Sequence, residues 1–519
     1  CAREQGEPQA ALDQYDRAIG ELERLRGRLM VEHRAGFVRD KGRIYEDAVA
    51  LCLDLGRPQQ GLHYAERAKS RALRDLLAYR LDLSIRARDA QDAPLIDELT
   101  RLRAGRDRLY RRWESVEATR VRGLVSTESG KPQIQQEVLA LEKQIEGLWH
   151  RLLVRSADYA RDASLCLVRA EPIQPYLASG TLLVEYFCAH DELCVFMVTA
   201  QGVEARRLPV DLVQLDRWMQ LLWLNLRAVP RSSPERVSNL AANARALLQR
   251  LHALLVAPLA ETLVAYPRLI VVPHGSLHYL PFHALHDGRA YLLERQEIRY
   301  LPGSSLLCYT RAPALPEAPG PPALVCGHSR GGTLPHTLHE ARAVAELLGG
   351  QALLEQEATR ARIREAAPGA RVVHLAAHGD FRADNPLFSG LALEDGWLTT
   401  LDIFDLHLNA SLVTLSACQT GRNVLGGGDE LLGLMRALLY AGAASLALSL
   451  WAVEDQSTAR LMEAFYGRLA AGEAKSAALR AAQLELLNGA SGGEDAAPGR
   501  WSHPYFWAPF FLVGDGGVL

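Results

Sequence analysis

The sequence has little lysine, and its charges nearly cancel. Of its 58 Lys and Arg residues only five are Lys, and we attribute this skew to a GC-rich coding genome rather than to an Arg-specific binding role. The 61 Asp and Glu residues bring the formal net charge to -3. This balance gives no electrostatic case for nucleic acid or an anionic membrane as the main partner. At 519 residues, the chain is long enough for about three domains that each bury a core.

Clustered cysteines, long apolar runs and a leader sequence are also missing. The eight Cys residues include no CxxC pair, which argues against a disulfide scaffold and a zinc ribbon. No apolar run reaches the roughly 18 residues of a membrane-spanning helix, and no signal-peptide pattern precedes the first helix. We therefore predict a cytoplasmic protein without a membrane span. Helical periodicity begins directly after Cys1, which favours a truncated N terminus over a lipid-modified one.

Helical spacing of apolar residues characterises the N-terminal region. Apolar and small residues recur at helical intervals on both sides of a break at Gly56 and Pro58. The same order of Gly, Pro and helix occurs earlier, at Gly6 and Pro8. The pattern is similar to tetratricopeptide repeats (TPR), although the two Gly residues are 50 positions apart and the usual period is about 34 residues. We predict TPR-like helical repeats over 1–92, either as long-helix variants or as separate hairpins.

A charged helical hairpin is predicted over 93–165. Two helical stretches, LIDELTRLRAGRDRLYRRW and QQEVLALEKQIEGLWHRLL, are separated by the polar linker STESGKPQ, which favours a long antiparallel coiled pair. The first stretch has an Arg-rich stripe with acids such as Glu98 and Asp107 beside it. A solvated helix face is therefore our first interpretation, and a partner or RNA contact is the second. The stripe consists of Arg101, Arg103, Arg106, Arg108, Arg111 and Arg112.

After Pro172 the periodicity changes from helices to strands. The segment 181–208 predicts a hairpin, and helices follow it. Short strands that are apolar on both faces then alternate with helices, which is typical of an α/β fold with a mostly parallel sheet and helices on both faces. A Pro- and Gly-rich linker at 312–323 divides this region into 166–311 and 312–519. The apolar strand segments are LIVVP, ALVCG, RVVHLAAH, LVTLSAC, SLALSLW and FFLVG.

Two of these strands end in side chains suited to covalent catalysis. RVVHLAAH ends in His378, which Gly379 follows, and LVTLSAC ends in Cys418. Ligands of open parallel sheets bind beyond the carboxyl ends of the strands, so neighbouring strands would bring these side chains into one crevice. The imidazole would then act as a base for the thiol. The backbone N–H groups of Gly379 and Cys418 would form an oxyanion hole.

The spacing alone leaves other interpretations open. A Cys at a strand end is commonly a core residue, and a His-Gly pair is commonly a turn. A competing pair is also present, because His274 follows the strand LIVVP and Cys326 closes the strand ALVCG just before His328.

The C-terminal half resembles the CHAT domain, a caspase-like family that is associated with tetratricopeptide repeats and related to separases. The matching segments occur in order between 271 and 515 and are VVPHGSLHYLPFHAL, HLAAHGDF, LSACQTG, LLYAGAASLALSLWAVEDQST, FYGRLAAG and HPYFWAPFFLVGD. The resemblance implies that His378 and Cys418, 40 residues apart, are the catalytic dyad. It also implies that 166–311 is a degenerate caspase-like half and that 312–519 is the catalytic caspase-like half.

By the same resemblance, a group of histidines in the first half is structural. These residues are His274, His278, His283 and His286. We expect neither a metal site nor a cofactor.

The resemblance extends to one candidate for substrate selection. The segment SLWAVEDQST is similar to the separase segment in which an acid lines the pocket for a basic residue before the scissile bond. That acid matches Asp455, which implies cleavage after Arg or Lys. The alternative is that Asp455 caps a helix that starts near Gln456. Asp429 and Glu430 are alternative pocket acids, or a cap of their own helix.

Taken together, the resemblance implies a cysteine endopeptidase that cleaves a specific protein partner and is regulated through its TPR-like region. CHAT members in bacterial antiviral or cell-death modules make a bacterial origin and a dedicated protein target the expectation. We expect a protein substrate and a protein regulator as partners, and no nucleic acid. Two alternatives stay open: a non-catalytic scaffold with a protease-like domain, and another thiol acyl hydrolase or transferase.

Overall fold

The computed structural model describes most of the chain, and its contacts divide the chain into two compact units. One unit comprises residues 1–44 and 71–169, and the other comprises 45–70 and 170–519. The described residues are 7–27, 42–69, 92–102, 173–308, 322–334, 336–380, 389–416, 429–451, 453, 455–489 and 501–519, with isolated positions between 105 and 151.

The first unit is helical where it is described. Helix α1 (Pro8–Gly27) buries four apolar residues at the spacing of one helix face, namely Ala11, Leu12, Ile19 and Leu22. Farther along the chain, Ile96 and Leu99 pack against Ile145 in one apolar cluster. The limits of the TPR-like repeats and of the long hairpin stay predictions, since much of both segments lies outside the described residues.

Two helices of the N-terminal region, nearly all of whose residues fall within 45–70, belong to the second unit. Helix α2 (Arg43–Asp54) ends before Gly56, whose φ of 64° is the left-handed conformation that commonly terminates a helix. Helix α3, described over 58–69, follows directly. A Cβ atom added to Gly61 would lie 3.2 Å from the ring of Phe196, so α3 lies close against the strand that carries this ring.

The second unit contains fourteen described strands. In chain order they are β1 (Thr181–Ala189), β2 (Glu192–Val198), β3 (Val203–Leu208), β4 (Arg268–Val272), β5 (Glu297–Tyr300), β6 (Ala323–Gly327), β7 (Gln351–Leu354), β8 (Val372–Ala376), β9 (Gly379–Asp380), β10 (Gly390–Leu393), β11 (Gly396–Thr399), β12 (Leu412–Ser416), β13 (Ser445–Ser449) and β14 (Phe510–Gly514).

Helices connect these strands and flank the sheet. They are α4 (Leu212–Ala228), α5 (Pro234–Leu255), α6 (Ala260–Leu263), α7 (Leu292–Arg295), α8 (His336–Leu348), α9 (Arg360–Ala366), α10 (Thr400–Phe404), α11 (Asp429–Ala441), α12 (Asp455–Ala470), α13 (Lys475–Leu487) and α14 (Pro504–Trp507). Among the residues that the structure describes, no helix has both the length and the apolar character needed to cross a membrane.

Eleven of the strands form one sheet, in the order β3-β2-β1-β4-β5-β14-β13-β12-β8-β6-β7. Most neighbouring strands are parallel, and the antiparallel neighbours are β1 with β2, β2 with β3, and β13 with β14. Every residue of β6, β8 and β12 is buried, as expected for strands that are covered on both faces. The α/β fold class with a mostly parallel sheet is therefore confirmed.

The sheet continues across the predicted divide in the C-terminal region. Tyr300 of β5 is opposite Val513 of β14, so strands from 166–311 and from 312–519 belong to one layer. The limits of these two halves stay predictions. The remaining strands, β9, β10 and β11, form a small antiparallel sheet that begins directly after His378.

Candidate active site

The candidate site lies where β8 and β12 end side by side. The two strands are parallel neighbours, and Ala376 at the end of β8 is opposite Ser416 at the end of β12. His378 and Cys418 each follow two residues beyond this last pair. The structure thus places the ends of the two strands that lead to the predicted residues side by side at the same edge of the sheet. Cys418 itself lies outside the described residues.

His378 is held in a nearly enclosed position. Its side chain is only 8% exposed, and its ring meets the ring of Trp397 on β11 edge to face, with 6.1 Å between the centroids. Burial, and then the positive charge of Arg330, lower the pKa of His378 to about 4. The imidazole is therefore neutral at neutral pH, which is the form that accepts a proton from a nucleophile.

The backbone after His378 is oriented by the small sheet. The carbonyl of His378 accepts a hydrogen bond from the N–H of Ala392 at 2.8 Å, and Gly379 is opposite Leu391 in the next pair. Hydrogen-bonded and non-hydrogen-bonded pairs alternate along an antiparallel ladder. The N–H of Gly379 therefore points to the side of its strand away from β10.

Two carboxylates that the sequence analysis did not identify, those of Glu355 and Glu394, lie against the loop after β6 at this edge of the sheet. His328, directly after β6, donates its backbone N–H to the carbonyl of Ala376 at 3.0 Å, and its Nε2 lies 3.3 Å from the carboxylate of Glu394. The hydroxyl of Ser329 donates to the carboxylate of Glu355. His328 was named from the sequence, but the loop after β6 could not be placed beside the end of β8, because strand order is not visible in the sequence. Nothing in the sequence indicates the two Glu residues.

The predicted pocket acids lie at the starts of two helices. Helix α12 begins at Asp455, a few residues after β13, which is the other neighbour of β12. Helix α11 begins at Asp429 and continues with Glu430. The side-chain positions of these three acids lie outside the described part of the structure.

The competing pair does not come together. His274 follows β4 and Cys326 lies in β6, and five strands separate β4 from β6 in the sheet. Burial raises the pKa of the Cys326 thiol to about 12, so this thiol is protonated at neutral pH. His274 instead accepts a hydrogen bond from the N–H of Cys188 at 2.9 Å through Nδ1 and stacks on Phe187.

The neighbouring histidines also have partners within the fold. His283 lies 2.9 Å from the hydroxyl of Tyr300 and 3.0 Å from the carbonyl oxygen of Ala508. Burial lowers its pKa to about 4. His286 accepts a hydrogen bond from the N–H of Gly288. Within the described ranges, no three His, Cys, Asp or Glu side chains are grouped so that they could hold a metal ion.

Comparison with known families assigns the C-terminal half. The family model of the CHAT domain matches residues 245–515, which is just over half of the chain. The chain belongs to the CHAT domain family. The resemblance inferred from the sequence motifs is thereby confirmed, and the matched segment of the CHAT domain includes both His378 and Cys418.

Two curated relatives are similar over about half of the chain. Tetratricopeptide repeat protein 28 of Mus musculus is 28% identical over 348 residues, and the same protein of Homo sapiens is 27% identical over 347 residues. Each match covers 55% of this chain and 14% of the relative. The chain thus spans about a seventh of the length of these relatives.

Two solved structures are similar to this chain at low sequence identity. The Saccharomyces cerevisiae separase–securin complex matches with a TM-score of 0.47 and 8% identity, covering 98% of this chain and 40% of that chain. The Arg-specific cysteine proteinase gingipain R matches with a TM-score of 0.31 and 12% identity, covering 58% and 74%.

Proposed function

We propose that this CHAT protein is a cysteine endopeptidase in which Cys418 is the nucleophile and His378 is the general base. The observation that carries the proposal is the register of β8 and β12, which pairs Ala376 with Ser416 two residues before each of the two side chains. The neutral state of the buried His378 imidazole supports its role as a base.

The proposed reaction proceeds through an acyl-enzyme. His378 accepts the Sγ proton of Cys418, and the thiolate attacks the scissile carbonyl carbon. The N–H groups of Gly379 and Cys418 stabilise the oxyanion, and the orientation of the Gly379 N–H away from β10 supports this role. His378 then donates its proton to the leaving amine as the C–N bond breaks. Finally, water attacks the thioester carbonyl carbon while His378 accepts a proton from it. The C–S bond breaks, the acid product leaves, and His378 returns the proton to the Cys418 thiolate.

The proposed substrate is a dedicated protein with Arg or Lys before the scissile bond. Asp455 is the proposed acid of the basic pocket, because the connection from β13 to α12 starts at the same edge of the sheet as the end of β12. Asp429 and Glu430 at the start of α11 remain the alternative pocket acids. A carboxylate in a partly enclosed pocket pairs bidentately with a guanidinium group, which favours Arg.

Regulation by a protein that binds the TPR-like helices completes the proposal. Helical repeats provide an extended surface for a partner, and partner binding orders loops in many switch proteins. We expect low basal activity until a regulator binds. The proposed location is the cytoplasm, and the proposed context is a defence or cell-death module.

Incubation with proteins encoded beside the gene tests the proposal. Wild type should produce one specific cut in a single target, whereas Cys418→Ala and His378→Ala should not. Cys188→Ala is the matched control. Cys188 is a half-buried thiol in β1, and β1 is not adjacent to β12 in the sheet. If Cys418→Ala cuts as well as wild type, the dyad is wrong. A mass-identified adduct on Cys418 without peptide cleavage would indicate another thiol hydrolase or transferase.

A further inference from the structure

Two helices cross-link the strands that lead to His378 and Cys418. His374 of β8 is directly opposite Thr414 of β12 in the parallel register. The hydroxyl of Tyr466, on α12, lies 2.9 Å from Nδ1 of His374 and donates to Oγ1 of Thr414 at 2.7 Å. A single phenol group from the helix that begins at Asp455 thus contacts both strands.

The carboxylate of Glu340, on α8, contacts the same two strands, through a close approach to His374 and a hydrogen bond from Ser416. One of its oxygens lies 3.1 Å from Nε2 of His374. The other oxygen accepts a hydrogen bond from the hydroxyl of Ser416 at 3.1 Å. All members of this polar network are buried: Glu340, His374, Thr414, Ser416 and Tyr466.

Stability alone does not account for such a network. The other residues of β8 and β12 are Val, Leu and Ala, which fill the interior of the sheet without polar atoms. Moving a carboxylate and an imidazole from water into the interior is costly, and well-packed apolar residues of similar volume are often equally stable or more stable. What an apolar core lacks is directionality, because hydrogen bonds hold their partners at defined distances and angles.

The position of the network in the sequence connects it to the candidate site. Ser416 is the last residue of β12, and it precedes Cys418 by two positions, about 7 Å of extended chain. His374 lies on β8, four positions before His378 in the sequence. A displacement of one strand end relative to the other would change the separation of base and nucleophile, and a misplacement of about 1 Å is enough to cost roughly 100-fold in rate.

We propose that Glu340 is a positioning residue, which holds His374 and Ser416 with one carboxylate and so fixes the two strand ends that carry the base and the nucleophile. Ser416 is the group through which it acts on the nucleophile's strand, and Tyr466 supports the same alignment from α12. This inference rests on the proposed function and deepens it, since Glu340 itself touches no reacting atom.

The test compares Ser416→Ala and Glu340→Gln with wild type in the full chain. We expect kcat to fall by about 10- to 100-fold with KM changed by less than about two-fold, as for other residues that orient a catalytic group. The rate at which iodoacetamide alkylates Cys418, located by peptide mass, should fall as well. The hydroxyl-retaining variant Ser416→Thr should recover most of the lost rate. Alkylation does not depend on the identity of the substrate.

The matched control is Ser445→Ala. Ser445 is also a buried strand serine, on β13 beside β12, and its hydroxyl donates to the carbonyl of Ser411 at the other end of the strand. Thermal unfolding is measured for every variant. The inference is overturned if Ser416→Ala and Glu340→Gln keep wild-type kcat and Cys418 alkylation, or if Ser445→Ala loses as much of both. The proposed function fails separately, through cleavage that persists in Cys418→Ala.

Discussion

The ammonium group of Lys69, in the last described turn of α3, and the carboxyl group of Glu185, on strand β1, are buried side by side, with 3.0 Å between Nζ and Oε1. A second carboxylate, that of Glu66, shares a hydrogen bond with Glu185 and accepts the backbone N–H groups of Ser304 and Ser305. Arg436 of α11, the helix after the Cys418 segment, donates to the carbonyl of Lys69. Buried charged and hydrogen-bonding groups therefore hold α3 against the sheet, in addition to apolar packing.

The first prediction concerns the cation of this cluster. Lys69→Met should lower the free energy of unfolding by about 3 kcal/mol, because the buried carboxylate of Glu66 loses its opposite charge. Glu185→Gln should cost less than about 1 kcal/mol, since the amide can donate to Glu66 as the protonated carboxyl does. Urea unfolding of both variants measures the difference. Equal destabilisation by the two substitutions would mean that Glu185 is ionised in the folded protein.

The second prediction is the pH dependence of stability that Glu185 causes. Burial, and then the charge of Glu66, raise the pKa of Glu185 to about 8, against an ordinary value near 4.5, although Lys69 acts in the opposite direction. The folded chain therefore holds a proton that the unfolded chain loses, and stability falls as pH rises from about 5 to 8. The pKa of Glu66 is lowered, so its stabilising contribution is complete above about pH 4.5 and is lost only as the pH falls further.

Urea midpoints measured at several pH values between 5 and 9 check this prediction. Glu185→Gln should flatten the decline, because its side chain does not titrate. Lys69→Met should extend the decline to higher pH, because the cation that favours ionised Glu185 is gone and the pKa of Glu185 in the folded protein rises further. A decline of the same slope in Glu185→Gln would assign the pH dependence to another group.

The third prediction concerns the acid limb of the pH–rate profile, where kcat/KM falls at low pH. Because the pKa of His378 is lowered to about 4, kcat/KM should stay nearly constant between pH 7 and 5 and fall only as the imidazole is protonated near pH 4. Arg330→Gln should move this limb to higher pH, since the positive charge of Arg330 contributes to lowering the pKa. The control is Arg342→Gln, which removes an exposed charge on α8. A limb near pH 6.5 in wild type would show that His378 keeps the pKa of an ordinary imidazole, and would contradict the prediction.

The fold was largely predictable because its strands are short apolar runs separated by helices. That pattern follows from burial on both faces, and it indicated β6, β8, β12, β13 and β14 directly. Strand order was the missing information. Periodicity does not show that five strands separate His274 from Cys326, and only the resemblance to the CHAT domain favoured His378 over that competing pair.

The polar groups of the interior were not predictable. Glu66 and Lys69 fall in a helix whose sequence suggests an ordinary amphipathic repeat, and Glu185 interrupts an apolar strand at a position that an exposed residue would also fill. Glu340 and His374 are likewise far apart in sequence and meet only through the packing of α8 on β8. Residues of this kind are specified by tertiary contacts, which a single sequence does not contain.

The fourth prediction concerns cleavage specificity. If Asp455 is the acid of the pocket, Asp455→Asn should lower kcat/KM for peptides with Arg or Lys before the scissile bond by about 100-fold or more, because a buried guanidinium or ammonium group loses its charged partner. Peptides with apolar residues at that position should change little. The measurement is a peptide-library profile of both enzymes. Asp429→Asn is the matched control at the start of the other helix, α11.

The peptide profile, together with the unfolding free energy of the variants, separates the two alternatives for Asp455. A role as a helix cap predicts an unchanged preference for basic residues, a loss of about 1 kcal/mol in unfolding free energy in Asp455→Ala, and little loss in Asp455→Asn, because Asn caps a helix as well as Asp does. A role in the pocket predicts the reverse, with specificity lost and stability nearly retained. If wild type prefers acidic or apolar residues, or if Asp429→Asn rather than Asp455→Asn abolishes basic selectivity, then Asp455 is not the acid that selects the substrate.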